Sequence, residues 1–279
     1  MIPDYVDQPH LLSANGLIIG STFIAILLGS LVSASFSTHI ISKTLVLSLM
    51  LGCSIIGYIA STYTPSNPPA RRSMTVQTNP LQAIYRVFKR CRQHTKLMQV
   101  IFGISWFWFV GTFITTLLPH INSLIGGTPK LITVFFILFA LGISTGGFLC
   151  NKICKFQIDS RFAPFCLLIV SFALFDTSHA IRKLVLAAHH TTFSVHDFMH
   201  LAQAWRLCID FTLISFIGGI FVVPLYTILQ HETPAYLRAR MIACNNTLSA
   251  LFMLFGSLLT ILLARQGLSI VHVIQVFVL

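Results

Sequence analysis

Apolar residues in this chain come in blocks of about twenty, separated by short polar stretches. A block of that length, wound as a helix, crosses the ~30 Å hydrocarbon core of a bilayer. The pattern predicts spans at 14–36, 44–62, 98–118, 131–150, 163–181, 207–229 and 241–263. An eighth begins near 269 and reaches Leu279 after about half a span. The fold class expected is all-α, a polytopic membrane protein. Residues 1–12, MIPDYVDQPHLL, hold two aspartates and no Lys or Arg, the wrong sign for the n-region of a cleavable signal peptide.

Composition agrees. The 279 residues are 55% hydrophobic and 9% charged, whereas a soluble domain carries roughly a quarter charged residues. The net charge of +11 is unevenly distributed. Residues 63–96 hold Arg71, Arg72, Arg86, Lys89, Arg90, Arg92 and Lys96 with no acid; 151–162 hold Lys152, Lys155 and Arg161; 230–240 hold Arg238 and Arg240. Alternating spans put these 12 of the 18 basic residues on one side, which the positive-inside rule makes cytoplasmic. A basic loop beside a membrane accounts for residues 71–96 without a nucleic-acid partner. The partner expected is the lipid bilayer, and the location a multi-pass place in the inner membrane. The organisation expected is 1–62, a first helix pair; 63–96, a basic central loop with Pro65, Pro68, Pro69 and Pro80, ending in an amphipathic stretch; and 97–279, a second helix set with its last helix truncated.

Lipid offers no hydrophobic drive for helix association, so small residues must let backbones approach. Gly16 and Gly20 form a GxxxG, and Ser21, Ala25, Gly29 and Ser33 repeat every four residues on one face of the first span. Gly142, Gly146 and Gly147 in the fourth span, and Gly218 and Gly219 with Pro224 in the sixth, are further packing signals. None of the seven cysteines stands in a CxxC pair. They read as small packing residues, and no metal or cofactor is expected.

The polar residues inside the spans are the candidates for function. Ser105, Trp108, Thr112, Thr115 and Pro119 share a helix face; the face serves either a substrate headgroup or packing, with its hydroxyls bonded back to the helix. Asn245 and Asn246 precede a long apolar run, and Asn246, Ser249, Met253, Gly256 and Thr260 fall on one face. These amides either cap and glue helices or line a gate. Asp210 is costly within a span; with Arg206 one turn earlier it forms an ion pair at the span's outer end, or it contacts substrate or coupling ion. Asp176 has the same two readings. HDFMH, 196–200, is close to the zinc-binding HExxH, but Asp197 is a methylene short and no third ligand is evident, so a solvated histidine-rich loop is expected.

Four stretches carry a resemblance: ANGLIIGSTFIAILLGSLV (14–32), GISWFWFVGTF (103–113), GGIFVVPLYTILQ (218–230) and RARMIACNNTLSALFM (238–253). Their order and spacing over almost the whole chain resemble the major facilitator superfamily, in its lysophospholipid-transporter branch. That branch includes fusions to an acyltransferase and an acyl-acyl-carrier-protein synthetase. The resemblance implies that the first span matches the family's fifth helix and 98–118 its seventh, so that four N-terminal helices are missing and the last is cut short. GGFLCNKICK, 146–155, is similar to the family's gating loop, with Asn151 at the acidic position and Lys152 and Lys155 as its cations. The function implied is a secondary transporter component for lysophospholipid or a related amphiphile. A separate polypeptide then supplies the missing helices. The alternative is a non-transporting membrane anchor left from a transporter–acyltransferase fusion. No enzyme activity is expected of this chain: no histidine has an aspartate five residues on, as an H-x-x-x-x-D acyltransferase requires, and no Gly-rich phosphate loop is present.

Overall fold

A computed structural model describes residues 2–7, 10–37, 40–63, 82, 85–86, 88–89, 92–153, 162–187, 193–266 and 272–275. They form an all-α polytopic membrane protein with no strand among them. The helices are α1 (Leu11–Ser37), α2 (Lys43–Thr62), α3 (Thr95–Leu124), α4 (Pro129–Ile153), α5 (Ala163–Ala187), the short α6 (Val195–Met199), α7 (Ala202–Glu232) and α8 (Ala235–Arg265). All seven long helices are apolar and long enough to span a bilayer. Each contains the span expected at its place, extended by up to six residues at an end, because interfacial polar residues continue a helix beyond the hydrocarbon. Of the eighth span only 272–275 are described; they are helical, and Val273 and Ile274 join the core. Most of residues 64–91 lie outside the described residues; within the expected amphipathic stretch, 85–86 and 88–89 are helical and exposed.

The central helix is α7, which packs on α4, α5, α3 and α1, while α3 also packs on α8 and α4 on α1. Two apolar clusters share the interior. One is centred on Phe113, Leu118, Phe135 and Phe211, the other on Ile101, Ile104, Val222 and Leu229. In contrast, α2 buries no residue. At the end away from the basic loops, Phe193 bridges the α3–α4 turn, donating its N–H to the Gly126 carbonyl (2.8 Å) and accepting from the Thr128 N–H (3.1 Å). The capping box of α6 sets Ser194 against Asp197, whose carboxyl is held below the usual range by the Ser194 hydroxyl and backbone N–H.

The closest backbone contacts run through α4. A methyl on Gly146 would strike the Phe216 carbonyl of α7, one on Gly219 would lie 2.5 Å from the Ile143 carbonyl oxygen, and one on Gly16 would strike the Gly147 carbonyl. The GxxxG of α1 is thus its packing face. The other expected stripe is not: Ser21, Ala25 and Gly29 are exposed, and nothing lies within 4 Å of Gly29. The two stripes lie on different sides of α1, and α4 meets only the first. Among the cysteines, Cys150, Cys166, Cys208 and Cys244 are buried packing residues, and Cys53 on α2 is exposed.

Replacing Gly219 by Ala, in the chain purified in detergent, is expected to lower stability by about 1–3 kcal/mol, since a tightly packed core cannot absorb the methyl. The same change at Gly29 is expected to move it by less than about 0.5 kcal/mol. Thermal unfolding measured side by side checks the contrast.

Candidate functional site

A cavity of about 200 Å³ opens between α1, α3, α4 and α8. Trp108, Thr112 and Thr115 of α3 face it, with Phe23, Leu27 and Ser30 of α1, Phe136, Phe139 and Ile143 of α4, and Met253 of α8. Three of the expected α3 residues therefore do line one space. Trp108 is held in place: its indole Nε1 donates to the Tyr226 hydroxyl of α7 (3.1 Å), and its ring stacks on Phe23 at 6.1 Å. The Thr115 hydroxyl donates back to the Gly111 carbonyl (2.9 Å) and the Ser30 hydroxyl to that of Ile26 (2.8 Å). Those hydroxyls are committed to their own helices, so the wall they offer is chiefly apolar.

Ser105 is not part of the wall. One turn toward the basic end it meets Ser249 of α8, Oγ to Oγ at 3.3 Å, both buried. This bond ties α3 to α8 beneath the cavity. One further turn along α8, Asn245 is buried at 1% exposure and donates from Nδ2 to Asn246 Oδ1 (3.3 Å), while its own Oδ1 has no partner. Asn246 is exposed, so Asn245, and not Asn246, continues the Ser249 face. The capping reading of the amides fails as well. The helix begins at Ala235, ten residues upstream, because RARM winds onto the same helix, and there is no free N-terminus for an amide at 245 to cap.

Two contacts at the basic end join α1 to the rest. Asn151 donates from Nδ2 to the Ser13 hydroxyl at 2.6 Å. Asn15 and Gln230 form a reciprocal pair: Gln230 Nε2 donates to Asn15 Oδ1 (2.9 Å) and Asn15 Nδ2 to Gln230 Oε1 (3.4 Å), with Asn15 also bonded to the Leu11 carbonyl. Sequence reasoning passed over Asn15 and Gln230, although each is a lone amide near the end of an apolar run. Amides in such places find each other because unpaired they cost more. Lys152 is exposed beside Asn151, and Lys155 lies outside the described residues.

The expected Arg206–Asp210 pair does not form. Arg206 reaches across to α5, donating from Nε to Asp176 Oδ2 (2.5 Å) and from Nη2 to Asp176 Oδ1. The guanidinium fork matches both oxygens of one carboxylate, a fit that a neighbour on the same helix does not offer. Asp210, 6% exposed, receives the Thr177 hydroxyl at 3.4 Å. It also lies deeper than expected. Helix α7 begins at Ala202, so Asp210 stands eight residues in, about 12 Å of rise. Of the histidine loop, His189 and His190 lie outside the described residues. The rings of His196 and His200 face each other with Nε2 atoms 3.4 Å apart, and Asp197 is engaged by the cap.

Three comparisons with known proteins bear on this arrangement. The chain is 26% identical over 228 residues to a lysophospholipid transporter LplT of Klebsiella pneumoniae subsp. pneumoniae, an alignment covering 80% of this chain and 51% of that protein. It is 26% identical over 231 residues to the lysophospholipid transporter LplT of Enterobacter sp. (strain 638), with the same coverage of each. The chain spans about half the length of the curated relatives it matches. No family model matches it, and no solved structure does.

The Asn15–Gln230 pair is expected to show energetic coupling. In a double-mutant cycle with Asn15→Leu and Gln230→Leu, each single change strands a buried amide. The coupling between them is expected at about 0.6–1.7 kcal/mol, the range for hydrogen bonds between membrane helices. Thermal unfolding of the four proteins in one detergent measures it, and additive losses would mean the amides act separately.

Proposed function

We propose that this chain is a component of a secondary transporter of the major facilitator type, moving lysophospholipid or a related amphiphile across the inner membrane. The observation that carries the reading is the cavity faced by Trp108, Thr112 and Thr115, in a membrane-spanning bundle whose curated relatives bear the name of lysophospholipid transporters. A cavity of about 200 Å³ is below the 300–1,000 Å³ of a whole-ligand pocket. With an apolar wall and the Thr115 and Ser30 hydroxyls already committed, it suits a segment of acyl chain. The polar headgroup then lies at its open rim or against helices supplied by another part of the transporter.

In this reading the basic loops face the cytoplasm, and the serine and amide contacts at that end, Ser13–Asn151, Asn15–Gln230 and Ser105–Ser249, close the cytoplasmic side beneath the cavity. The chain performs no chemistry on its lipid. The division into 1–62, 63–96 and 97–279 follows the family's division into two helix sets about a central loop, and alternating access is a movement of one set against the other.

Two measurements test this. Uptake of labelled lysophosphatidylethanolamine is followed in vesicles holding this chain, alone and together with a polypeptide supplying the four preceding helices. Uptake is expected with the complement, and Thr112→Phe, which fills the cavity, is expected to cut it at least tenfold with the protein still folded and inserted. Unchanged uptake in Thr112→Phe would remove the cavity from the pathway, and no uptake in either vesicle would favour the membrane-anchor reading. The orientation is checked separately by Ser73→Cys in a cysteine-free background. A membrane-impermeant thiol reagent is expected to label it only from the cytoplasmic side.

A further inference from the structure

At the end away from the basic loops, two side chains stand outside everything the cavity uses: His196 on the short helix α6 and His200 at its C-cap. The backbone beneath them is held from three directions. Between them Phe198 is fully buried and meets the Phe135 ring of α4 edge-on at 5.9 Å. The capping box of Ser194 and Asp197 fixes the start of α6, and the Trp205 indole of α7 donates to the Met199 carbonyl (2.9 Å) at its end. The two imidazoles, one helical turn apart, are exposed. Their ring centroids are 4.6 Å apart and their Nε2 atoms 3.4 Å apart. That is long for an N–H···N hydrogen bond. It is the separation of two imidazole nitrogens on one tetrahedral zinc ion, since bonds of about 2.0–2.1 Å at the tetrahedral angle set them about 3.3–3.4 Å apart. In a square-planar copper site the same bonds, at a right angle, would bring them to about 2.9 Å.

We infer that His196 and His200 chelate a zinc ion through their Nε2 atoms. Turning the two exposed rings about their own bonds aims both lone pairs at one ion and leaves the backbone where it is. Asp197 stands behind the first ligand, with Oδ1 3.8 Å from His196 Nδ1. Its charge favours the proton on Nδ1 and leaves the lone pair on Nε2, the part that a carboxylate plays behind a metal-bound histidine. Asp197 Oδ2 is taken by the Ser194 hydroxyl (2.7 Å) and N–H (3.2 Å). The residue that would be the general base of an HExxH enzyme is thus turned to the helix cap, and the site binds an ion without hydrolysing anything. Among the described residues no third His, Cys, Asp or Glu joins the pair, and water takes the other coordination positions. The consequence is mechanical. An ion bridging residues 196 and 200 clasps the turn whose middle residue is Phe198, so that withdrawing Phe198 from α4 by unwinding α6 also requires losing the ion. Zinc therefore stabilises the closed cap in proportion to its occupancy. None of this rests on the transporter reading.

The test is a zinc titration of the untagged full chain in lipid nanodiscs, read by competition with a chromophoric chelator, with hydrogen exchange of residues 195–200 followed in parallel. One zinc ion per chain is expected to depend on this pair, and its binding to slow exchange in α6. His196→Gln and His200→Gln are each expected to weaken binding about tenfold or more, because one imidazole alone forms no chelate, and to abolish the slowing. His120→Gln, at an exposed histidine of α3, is expected to leave both unchanged. X-ray absorption at the zinc edge of the unmodified protein is expected to show imidazole nitrogens at about 2.0–2.1 Å. Thermal unfolding without zinc establishes that each variant is folded; if one is not, the absorption spectrum and the other variant decide. Absence of zinc binding, a spectrum without imidazole, or full affinity retained in either folded variant overturns the proposal. Exchange in α6 that bound zinc leaves unchanged overturns the clasp on Phe198.

Discussion

Everything in this bundle depends on how closely bare backbones approach one another along α4. Between helices in lipid, burying a leucine gains little, since the tails outside are as apolar as the neighbour inside. Association rests on contact area and on hydrogen bonds, and both need the axes close. Gly146 sits on the Phe216 carbonyl, Gly219 on the Ile143 carbonyl, and Gly16 on that of Gly147. With α1 and α7 both drawn against α4 and against each other, Asn15 comes within reach of Gln230 and Ser13 within reach of Asn151. Larger residues at these three positions would separate these amides and hydroxyls from their partners across the helices.

The same closeness sorts the polar groups by depth. At the basic end they meet across helices, as amide with amide, amide with hydroxyl or hydroxyl with hydroxyl. In the cavity the Thr115 and Ser30 hydroxyls are turned inward on their own helices, leaving Phe23, Trp108 and Phe139 to form much of the surface. An ion pair, Arg206 with Asp176, stands on the α5–α7 flank, where both are still partly exposed.

Much of this was legible in the sequence. Seven blocks of apolar residues gave seven helices, since in a bilayer length and hydropathy leave a chain no other regular form. The α3 face was legible for Trp108, Thr112 and Thr115 because a 3.6-residue period fixes which side chains share a side. What a period leaves undetermined is the partner. Ser105, on the same face, turned out to touch Ser249 of another helix. Arg206 chose Asp176, thirty residues away in the chain, over Asp210 four residues away. Two small-residue stripes on α1 were equal as patterns, and only the position of α4 distinguished them. Asn245 and Asn246 differ by one residue in sequence and by a whole side of the helix in burial. The start of α8 at Ala235 was obscured by Arg238 and Arg240, whose charges made a helical turn look like a loop.

The meeting of Gly16 with Gly147 has a mechanical consequence. Side chains that interlock resist both separation and turning, as gear teeth do. Bare backbone by itself resists separation only. At this seam teeth stand one turn away: the Phe148 ring of α4 lies over Gly20, and the Ser144 hydroxyl donates to the Gly20 carbonyl (3.1 Å). The α1–α4 seam is therefore keyed, as is the α4–α7 seam, where the Ser215 side chain fills the space beside Gly142. Torque applied to α1 would pass through these teeth into α4, and α1, α4 and α7 would turn as one piece.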